Sequence, residues 1–336
     1  MMPKVGGLAP AKRGGQMMAS AWLIALACDV IAWLPAAAQS TPAATAIVGP
    51  HFVMLPVAAP RDGGPLAVVT TTPLLADLVH EVGGDRVTVQ SILPPNADPH
   101  DYEPKPADLV DIEDADVIVE HGLNLDHWAD ALVANAGASA PVLVATHGVP
   151  TIASNEAGFG GGDPHVWFDP TNVKIMTDTI AAALTNADPA GAASYAARRD
   201  AYDRNLGILD AWIKGQIATI PPKRRKLVTN HDAFTYYVTR YGLTDVGSVI
   251  PSLDTSAEPS AQETEALIGK IKAEGVPAIF TEASLNPRLE QQLAADAGVA
   301  VVPTLYGDTL GSPGTPGDTY LGMMVADTTM IVDALR

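Results

Sequence analysis

The sequence has almost no cysteine, and several signatures of enzyme active sites are missing from it. The one cysteine among 336 residues is Cys28, so a disulfide framework or a multi-cysteine zinc module is excluded. No GxxxxGKS or GxxxxGKT phosphate loop, GxSxG nucleophile elbow or HExxH helix occurs. Enzyme classes that depend on these motifs are therefore excluded.

Positive charge is also scarce. Lysine and arginine total 20 against 38 aspartate and glutamate residues, which gives a formal net charge of -18 and a pI near 4.6. A field of this sign repels phosphate backbones and anionic lipid and attracts cations. Nucleic acid is therefore excluded as the expected partner.

The N-terminal segment is typical of an export signal. Lys12 and Arg13 precede an apolar stretch that ends in small residues, so we predict a cleavable signal peptide over residues 1–38. Asp29 interrupts the apolar run, which disfavours a membrane-spanning helix. Processing and lipidation at Cys28 is the alternative, although Ala25 stands where leucine is usual. Residues 39–64 are predicted to form a flexible arm, because they are rich in alanine, proline and glycine without a period.

Short apolar runs alternate with helical patterns from Leu66 onward. This alternation predicts an α/β fold with two similar lobes, each with a mainly parallel four-stranded sheet flanked by helices. We place the N-terminal lobe at 65–187 and the C-terminal lobe at 221–336. The segment between them contains no strand-like run, and a helical period from Pro189 predicts one long, rigid linking helix over 188–220.

Polar residues that can bind metal follow several of the predicted strands. Ligands of parallel sheets bind beyond the carboxyl ends of the strands, so side chains from such loops can converge. Three neutral imidazoles and one carboxylate suit Zn²⁺, whereas Mn²⁺ prefers more oxygen and is the less favoured ion. Four protein ligands fill the tetrahedron of zinc, which indicates that the site holds metal and does not catalyse. The predicted ligands are His100, His165, His231 and Asp318.

Each of these residues also has an ordinary structural interpretation. His100 and His165 are typical of turns beside Asp-Pro or Pro pairs, and His231 could bond to backbone at a helix start. Asp318 is a natural N-cap for the last helix. His121 and His127 are interpreted as packing or surface residues. Glu282, at the end of a strand, is the reserve carboxylate if Asp318 proves to be only a cap.

Five segments, in order, resemble a known family. These segments are NADPHDYEPKPADL, GLNLDHW, DPHVWFDP, VTNHDAFTYYVTRYGL and GDTYLGMM. With them, the chain from about residue 66 to 336 is similar to the ABC-importer solute-binding proteins that capture zinc or manganese outside the inner membrane.

The resemblance implies a two-lobe protein with a long linking helix and metal between the lobes. The ligand positions of the family then fall on His100, His165, His231 and Asp318, and His231 favours zinc because members that resemble manganese or iron binders place glutamate there. Many zinc-importer members also carry a histidine-rich loop before DPHVW, and this sequence has none. The expected function is a non-catalytic, periplasmic, high-affinity zinc carrier.

The expected partner of such a carrier is the membrane permease of an ABC importer, and a periplasmic metallochaperone is a second candidate. We expect a monomer. One alternative is a manganese or iron carrier of the same kind. Another is an exported zinc hydrolase, in which Asp318 only caps its helix and Glu282 acts as base. A third is a surface-anchored receptor or adhesin, if Cys28 is lipidated.

Overall fold

Parallel β-strands form the centre of the fold in the computed structural model, which describes residues 48–336. The predicted signal peptide, Cys28 and the first part of the arm lie outside the described residues, so those predictions stay untested. The strands coincide with the β-branched runs of the sequence. Their bounds are β1 Leu66–Thr70, β2 Val87–Ser91, β3 Val117–Glu120, β4 Val142–Val144, β5 Lys226–His231, β6 Thr244–Ile250, β7 Ala278–Glu282 and β8 Ala300–Leu305.

The two halves of the chain build similar sheets. In the first half all strands are parallel in the order β2-β1-β3-β4, with Val68 opposite both Val89 and Val117. In the second half β5 pairs with β6 and β7 with β8, again parallel, and β5 lies beside β7. The predicted fold class is confirmed, with the second four-stranded sheet built as two adjoining parallel pairs.

Helices cover these sheets, and local sequence signals set several of their starts. Pro73 and Pro170 occupy first-turn positions, and the side chains of Thr72 and Asp169 accept backbone N–H groups as N-caps. The helices are α1 Pro73–Gly83, α2 Pro106–Glu113, α3 Trp128–Ala136, α4 Pro170–Ala187, α5 Ala192–Ala218, α6 Thr235–Tyr241, α7 Ala261–Glu274, α8 Arg288–Ala297 and α9 Tyr320–Leu335.

Helix α5 is the longest of the described elements. Its 27 residues make it about 40 Å long at 1.5 Å per residue. Buried side chains recur every three or four residues along one face from Tyr202 to Ile217. This face packs against α1 and α4 of the first half and α9 of the second. The predicted linking helix is therefore present, preceded by a short 3-10 turn over Pro189–Gly191.

The hydrophobic core is continuous across the two halves. One cluster of buried side chains joins Leu78 of α1, Tyr202 of α5 and Tyr320 of α9. Such a shared core resists a wide hinge at the junction, because separation of the halves would expose apolar surface. The lobe boundaries at 65–187, 188–220 and 221–336 stay predictions.

The described part of the N-terminal arm contacts the folded chain, and the flexibility expected over 39–64 stays a prediction. Residues 48–64 form no helix or strand, yet side chains of the folded chain hold their backbone. Asn205 accepts the Val53 N–H at 2.7 Å and donates to the Val53 carbonyl at 3.0 Å. Trp212 donates to the Val48 carbonyl at 2.8 Å, and Arg198 donates to the Pro56 carbonyl at 2.7 Å. The arm is thus bound along α5, because side chains of α5 satisfy its backbone polar groups.

No helix within residues 48–336 is both long and apolar enough to cross a membrane.

We expect Asn205→Ala to release the arm. The substitution removes the two hydrogen bonds to Val53, which together contribute about 1–2 kcal/mol to the free energy of unfolding. Urea unfolding should show this loss, and limited proteolysis should cut residues 48–64 faster. Asn205→Asp keeps the acceptor for the Val53 N–H. Its free energy of unfolding and its rate of proteolysis should lie between those of the wild-type protein and Asn205→Ala. Unchanged proteolysis of the arm in Asn205→Ala would contradict the assignment.

Candidate metal site

Four loops bring polar side chains to the carboxyl ends of the strands. His100 lies in the loop after β2, and His165 lies just before a 3-10 turn over Val166–Phe168. His231 is the last residue of β5, and Asp308 follows β8 by three residues. Parallel strands end at the same edge of a sheet, so these loops can meet.

Hydrogen bonds at Asp98, Pro99 and His100 fix the loop that carries His100. Oδ1 of Asp98 accepts the backbone N–H of His100 at 2.9 Å, and Oδ2 of Asp98 accepts the Thr255 hydroxyl of the second half at 2.6 Å. The indole of Trp128 donates to the Pro99 carbonyl at 2.9 Å. His100 is therefore oriented by contacts with both halves of the protein.

The DPHVW segment is held in a comparable way. Oδ1 of Asp163 lies 2.7 Å from Nδ1 of His165 and accepts the backbone N–H of the same residue at 2.9 Å. The ring of His121 contacts the Pro164 carbonyl through Nε2 at 2.9 Å. Trp167 is buried and donates to the Gly307 carbonyl at 3.3 Å, next to Asp308.

His231 has a buried carboxylate as its partner. Its Nδ1 lies 2.8 Å from Oε1 of Glu282, the last residue of β7. A carboxylate can only accept, so Nδ1 carries the proton and Nε2 presents its lone pair. The same reasoning applies to His165 beside Asp163. Two imidazoles thus have their Nε2 lone pairs directed away from their carboxylates.

The Nε2 atoms of the three histidines converge on the carboxylate of Asp308. Nε2 of His165 lies 3.4 Å from that of His100 and 3.3 Å from that of His231. Oδ2 of Asp308 lies 3.3 Å from Nε2 of His100 and 3.1 Å from Nε2 of His231, and Oδ1 lies 3.6 Å from Nε2 of His165. One ligand atom from each residue falls within 4.8 Å of all the others.

These distances fit a tetrahedral zinc ion. Zinc–ligand bonds of about 2.0–2.1 Å place neighbouring ligands about 3.3–3.4 Å apart at the corners of a tetrahedron. All four side chains are buried. Lone pairs that converge in a buried cluster repel unless a proton or a metal ion lies between them, so the arrangement suits a cation at its centre.

The electrostatics of the buried cluster indicate the same chemistry. Burial opposes charge on His231, but the carboxylates of Asp308 and Glu282 outweigh it and raise the pKa of His231 well above its ordinary value. Burial would raise the pKa of Asp308, yet His231 and His165 hold it well below its usual range. Both oxygens of Asp308 have no geometrically acceptable hydrogen-bond donor among the described residues. A bound cation would satisfy them.

The structure does not bring Asp318 to the histidines, so its prediction as the fourth ligand needs correction. Helix α9 begins at Tyr320 with Thr319 as its N-cap, which also excludes the simple N-cap role considered for Asp318. Oδ2 of Asp318 accepts the Gly314 N–H at 2.8 Å. The residue lines a separate cavity of about 700 Å³.

Asp308 is absent from the ligands predicted above, because the predicted carboxylate lies at the start of the last helix and not after the strand AVVPTL. The rule that identified the histidines also applies to Asp308, which follows that strand in YGDTL. The position of Asp308 after a strand is therefore the sequence signal that distinguishes it from Asp318, which lies next to the helix start.

The remaining histidines lie outside the cluster. His121 is buried, and burial lowers its pKa, which keeps the ring neutral beside Pro164. The exposed histidines are His51, His80, His127 and His147. Glu282 contacts a ligand without being one of the four converging groups.

Comparison with known proteins places the chain in a family. A protein-family model described as "ZnuA: Zinc-uptake complex component A periplasmic" matches residues 68–334. The chain belongs to the ZnuA family. It is thus a metal-binding solute-binding protein of the ABC-transporter type, as the sequence resemblance predicted.

Relatives of this ZnuA-family protein are named for different metals. The chain is 32% identical to the "Manganese-binding lipoprotein MntA" of Halalkalibacterium halodurans, over 82% of this chain and 90% of the relative. It is 31% identical to the "Iron-binding protein YfeA" of Yersinia pestis, over 78% and 84%. Among solved structures, the periplasmic zinc binding protein TroA from Treponema pallidum matches with a TM-score of 0.75 at 30% identity, over 81% of this chain and 99% of TroA.

We expect Asp308→Ala and Asp318→Ala to differ sharply in their affinity for metal. Asp308→Ala removes a converging ligand, so metal affinity should fall by more than about a hundredfold, beyond the 10–100-fold typical of outer-shell partners. Asp318→Ala should leave the affinity unchanged. Competitive titration with a zinc chelator measures both variants. Weakened binding in Asp318→Ala alone would restore the original assignment.

Proposed function

We propose that this protein captures Zn²⁺ outside the cytoplasm and delivers it to the permease of an ABC importer. The observation that supports this most directly is the buried cluster of His100, His165, His231 and Asp308, whose ligand spacings match a zinc tetrahedron. The acidic surface favours the approach of a cation.

The donor set favours zinc over manganese or iron. Three imidazole nitrogens and one carboxylate suit zinc, whereas manganese prefers sites richer in oxygen. The relatives are named for manganese, iron or zinc, so family membership does not select the ion. His231 is the deciding residue, because a glutamate in its place would add an oxygen donor and a negative charge.

The proposed site is built to hold metal. Four protein ligands complete the tetrahedron, whereas a catalytic zinc keeps one position for water. Glu282 has its Oε1 directed to Nδ1 of His231, so it is not placed as a free base. Together with family membership, these contacts favour a carrier over the alternative of an exported hydrolase.

Export by the signal peptide of residues 1–38 would place the carrier in the periplasm. Several relatives are named lipoproteins, so lipidation at Cys28 is the second arrangement, and only that arrangement would support a surface receptor or adhesin. Besides the permease, a periplasmic metallochaperone is a candidate partner for loading. We propose that the carrier acts as a monomer.

Loading of a buried site requires a local opening. Hydrogen bonds join the halves beside the metal ligands: Asn96 N–H donates to the Leu310 carbonyl at 3.0 Å, and Thr255 donates to Asp98. Because α5 and the shared core oppose a wide hinge, we propose modest lobe movement with reordering of the loops around His100 and His165.

Metal content and competition test the proposal. Purified protein should bind one Zn²⁺ per chain and prefer zinc to manganese by at least about tenfold, following the affinity order of nitrogen-rich sites. Metal analysis and competitive titration give both values, with His231→Glu as the variant expected to shift preference toward manganese. Tighter binding of manganese by the wild-type protein would contradict the zinc assignment.

Zinc stabilisation should decline at acid pH. Nε2 of each histidine ligand must be unprotonated to bind zinc. Because the pKa of His231 is raised, zinc displaces a proton from this residue even near neutral pH. The charged His231 stabilises the metal-free fold below about pH 6.5 and loses this effect as pH rises through the raised pKa. Zinc-loaded and metal-free Tm values should therefore converge from pH 8 to pH 5.

Thermal unfolding of both forms across this range measures the effect. His80→Ala, which removes an exposed histidine outside the cluster, is the control and should follow the wild-type curve. A constant difference in Tm between pH 8 and pH 5 would count against imidazole ligation.

A further inference from the structure

Glu282 lies in the interior between two of the proposed metal ligands. It ends β7, beside β5, which ends at His231. Its side chain is fully buried, and Oε1 contacts both Nδ1 and, at 3.5 Å, the backbone N–H of His231. One oxygen therefore determines the rotation of this imidazole ring.

The other carboxylate oxygen faces the backbone that precedes Asp308. Oε2 of Glu282 has no hydrogen-bond partner among residues 48–336. A Cβ built on Gly307 would overlap this oxygen, and Gly307 adopts a φ of +58°. Only glycine combines that backbone conformation with so close an approach. A side chain at position 307 would therefore collide with Glu282, and Gly307 directly precedes Asp308.

Gly307 is also held from the first half of the chain. Its carbonyl accepts the indole N–H of Trp167, which follows His165 by two residues. Gly307 thus lies against the carboxylate of Glu282 and the indole of Trp167, and the next residue in the chain is Asp308. A shift of Glu282 would be transmitted to both His231 and Asp308.

Asp163 provides a useful contrast, because it holds only one ligand. Its Oδ1 accepts both Nδ1 and the backbone N–H of His165, two residues along the same loop. Glu282 is 51 residues from His231 and 26 from Asp308 in the sequence, so it joins separate strands and loops. Asp163 therefore contacts a predicted ligand of its own loop, whereas Glu282 contacts residues of two other segments of the chain.

We propose that Glu282 is a positioning residue for two metal ligands. Its Oε1 accepts the Nδ1 proton of His231 and fixes that ring, and its Oε2 limits where Gly307 can lie and so positions Asp308. This inference rests on the proposed metal-binding function. A buried carboxylate with an unpaired oxygen costs free energy. A divalent cation among His231 and Asp308 offsets part of that cost, because it balances the negative charge.

Co²⁺ is the probe for this inference, because its visible absorption reports coordination geometry. In Glu282→Gln an amide replaces the carboxylate, and its NH₂ group either faces Nδ1 or presses on Gly307. We expect Co²⁺ affinity to fall 10–100-fold, the usual effect of an outer-shell partner, and the absorption bands to change. Glu290→Gln, which alters another buried glutamate without contacting the ligands, is the control.

Gly307→Ala tests the same contact from the other side and leaves the carboxylate intact. Its Cβ should displace Glu282 and produce a similar change in the Co²⁺ spectrum. Gly298→Ala is the matched control, because Gly298 also has a positive φ of +76° and a Cβ there meets nothing within 4 Å among the described residues. The comparison separates backbone strain from loss of positioning.

The outcomes distinguish this inference from the proposed function. Wild-type spectra and affinities in both Glu282→Gln and Gly307→Ala would overturn the positioning role while metal binding stands. Failure of the wild-type protein to bind Co²⁺ or Zn²⁺ would overturn the proposed function itself. Matching changes in Glu282→Gln and Gly307→Ala, with both controls unchanged, would support the role of Glu282.

Discussion

Mutual repulsion of buried lone pairs is the constraint on which the rest of this structure depends. Three Nε2 atoms and a carboxylate lie within 4.8 Å of each other and are buried. Such an arrangement is unfavourable unless protons or a metal ion balance it. The surrounding fold must therefore hold the groups together against their repulsion, and it does so with hydrogen bonds behind the ligands and with a stiff frame.

The hydrogen bonds behind the ligands come from three acids, of which the sequence pattern indicates only Glu282, and that one as a reserve ligand. Asp98 fixes the backbone of His100, Asp163 fixes the ring of His165 and Glu282 fixes that of His231. Each orients one histidine, and the buried Asp163 and Glu282 add negative charge near the proposed cation. The acidic composition of the chain therefore has a local counterpart in its interior.

The frame is provided by α5 and the core it shares with α1, α4 and α9. Because this helix packs on both halves, the loops that carry the ligands can reorder while the sheets keep their relative position. The N-terminal arm adds to this frame through Asn205 and Trp212. A carrier built in this way would exchange its metal by loop movement.

The sequence by itself determined the parallel α/β fold, the long helix and three of the converging ligands, because strand periodicity and strand-end position are local properties. The choice between Asp308 and Asp318 was decided only by tertiary structure, since both acids lie between β8 and α9 and the path of that loop determines which one meets the histidines. The roles of Glu282 and of the arm were also decided there. Both depend on contacts between residues far apart in the chain, and no local pattern encodes such contacts.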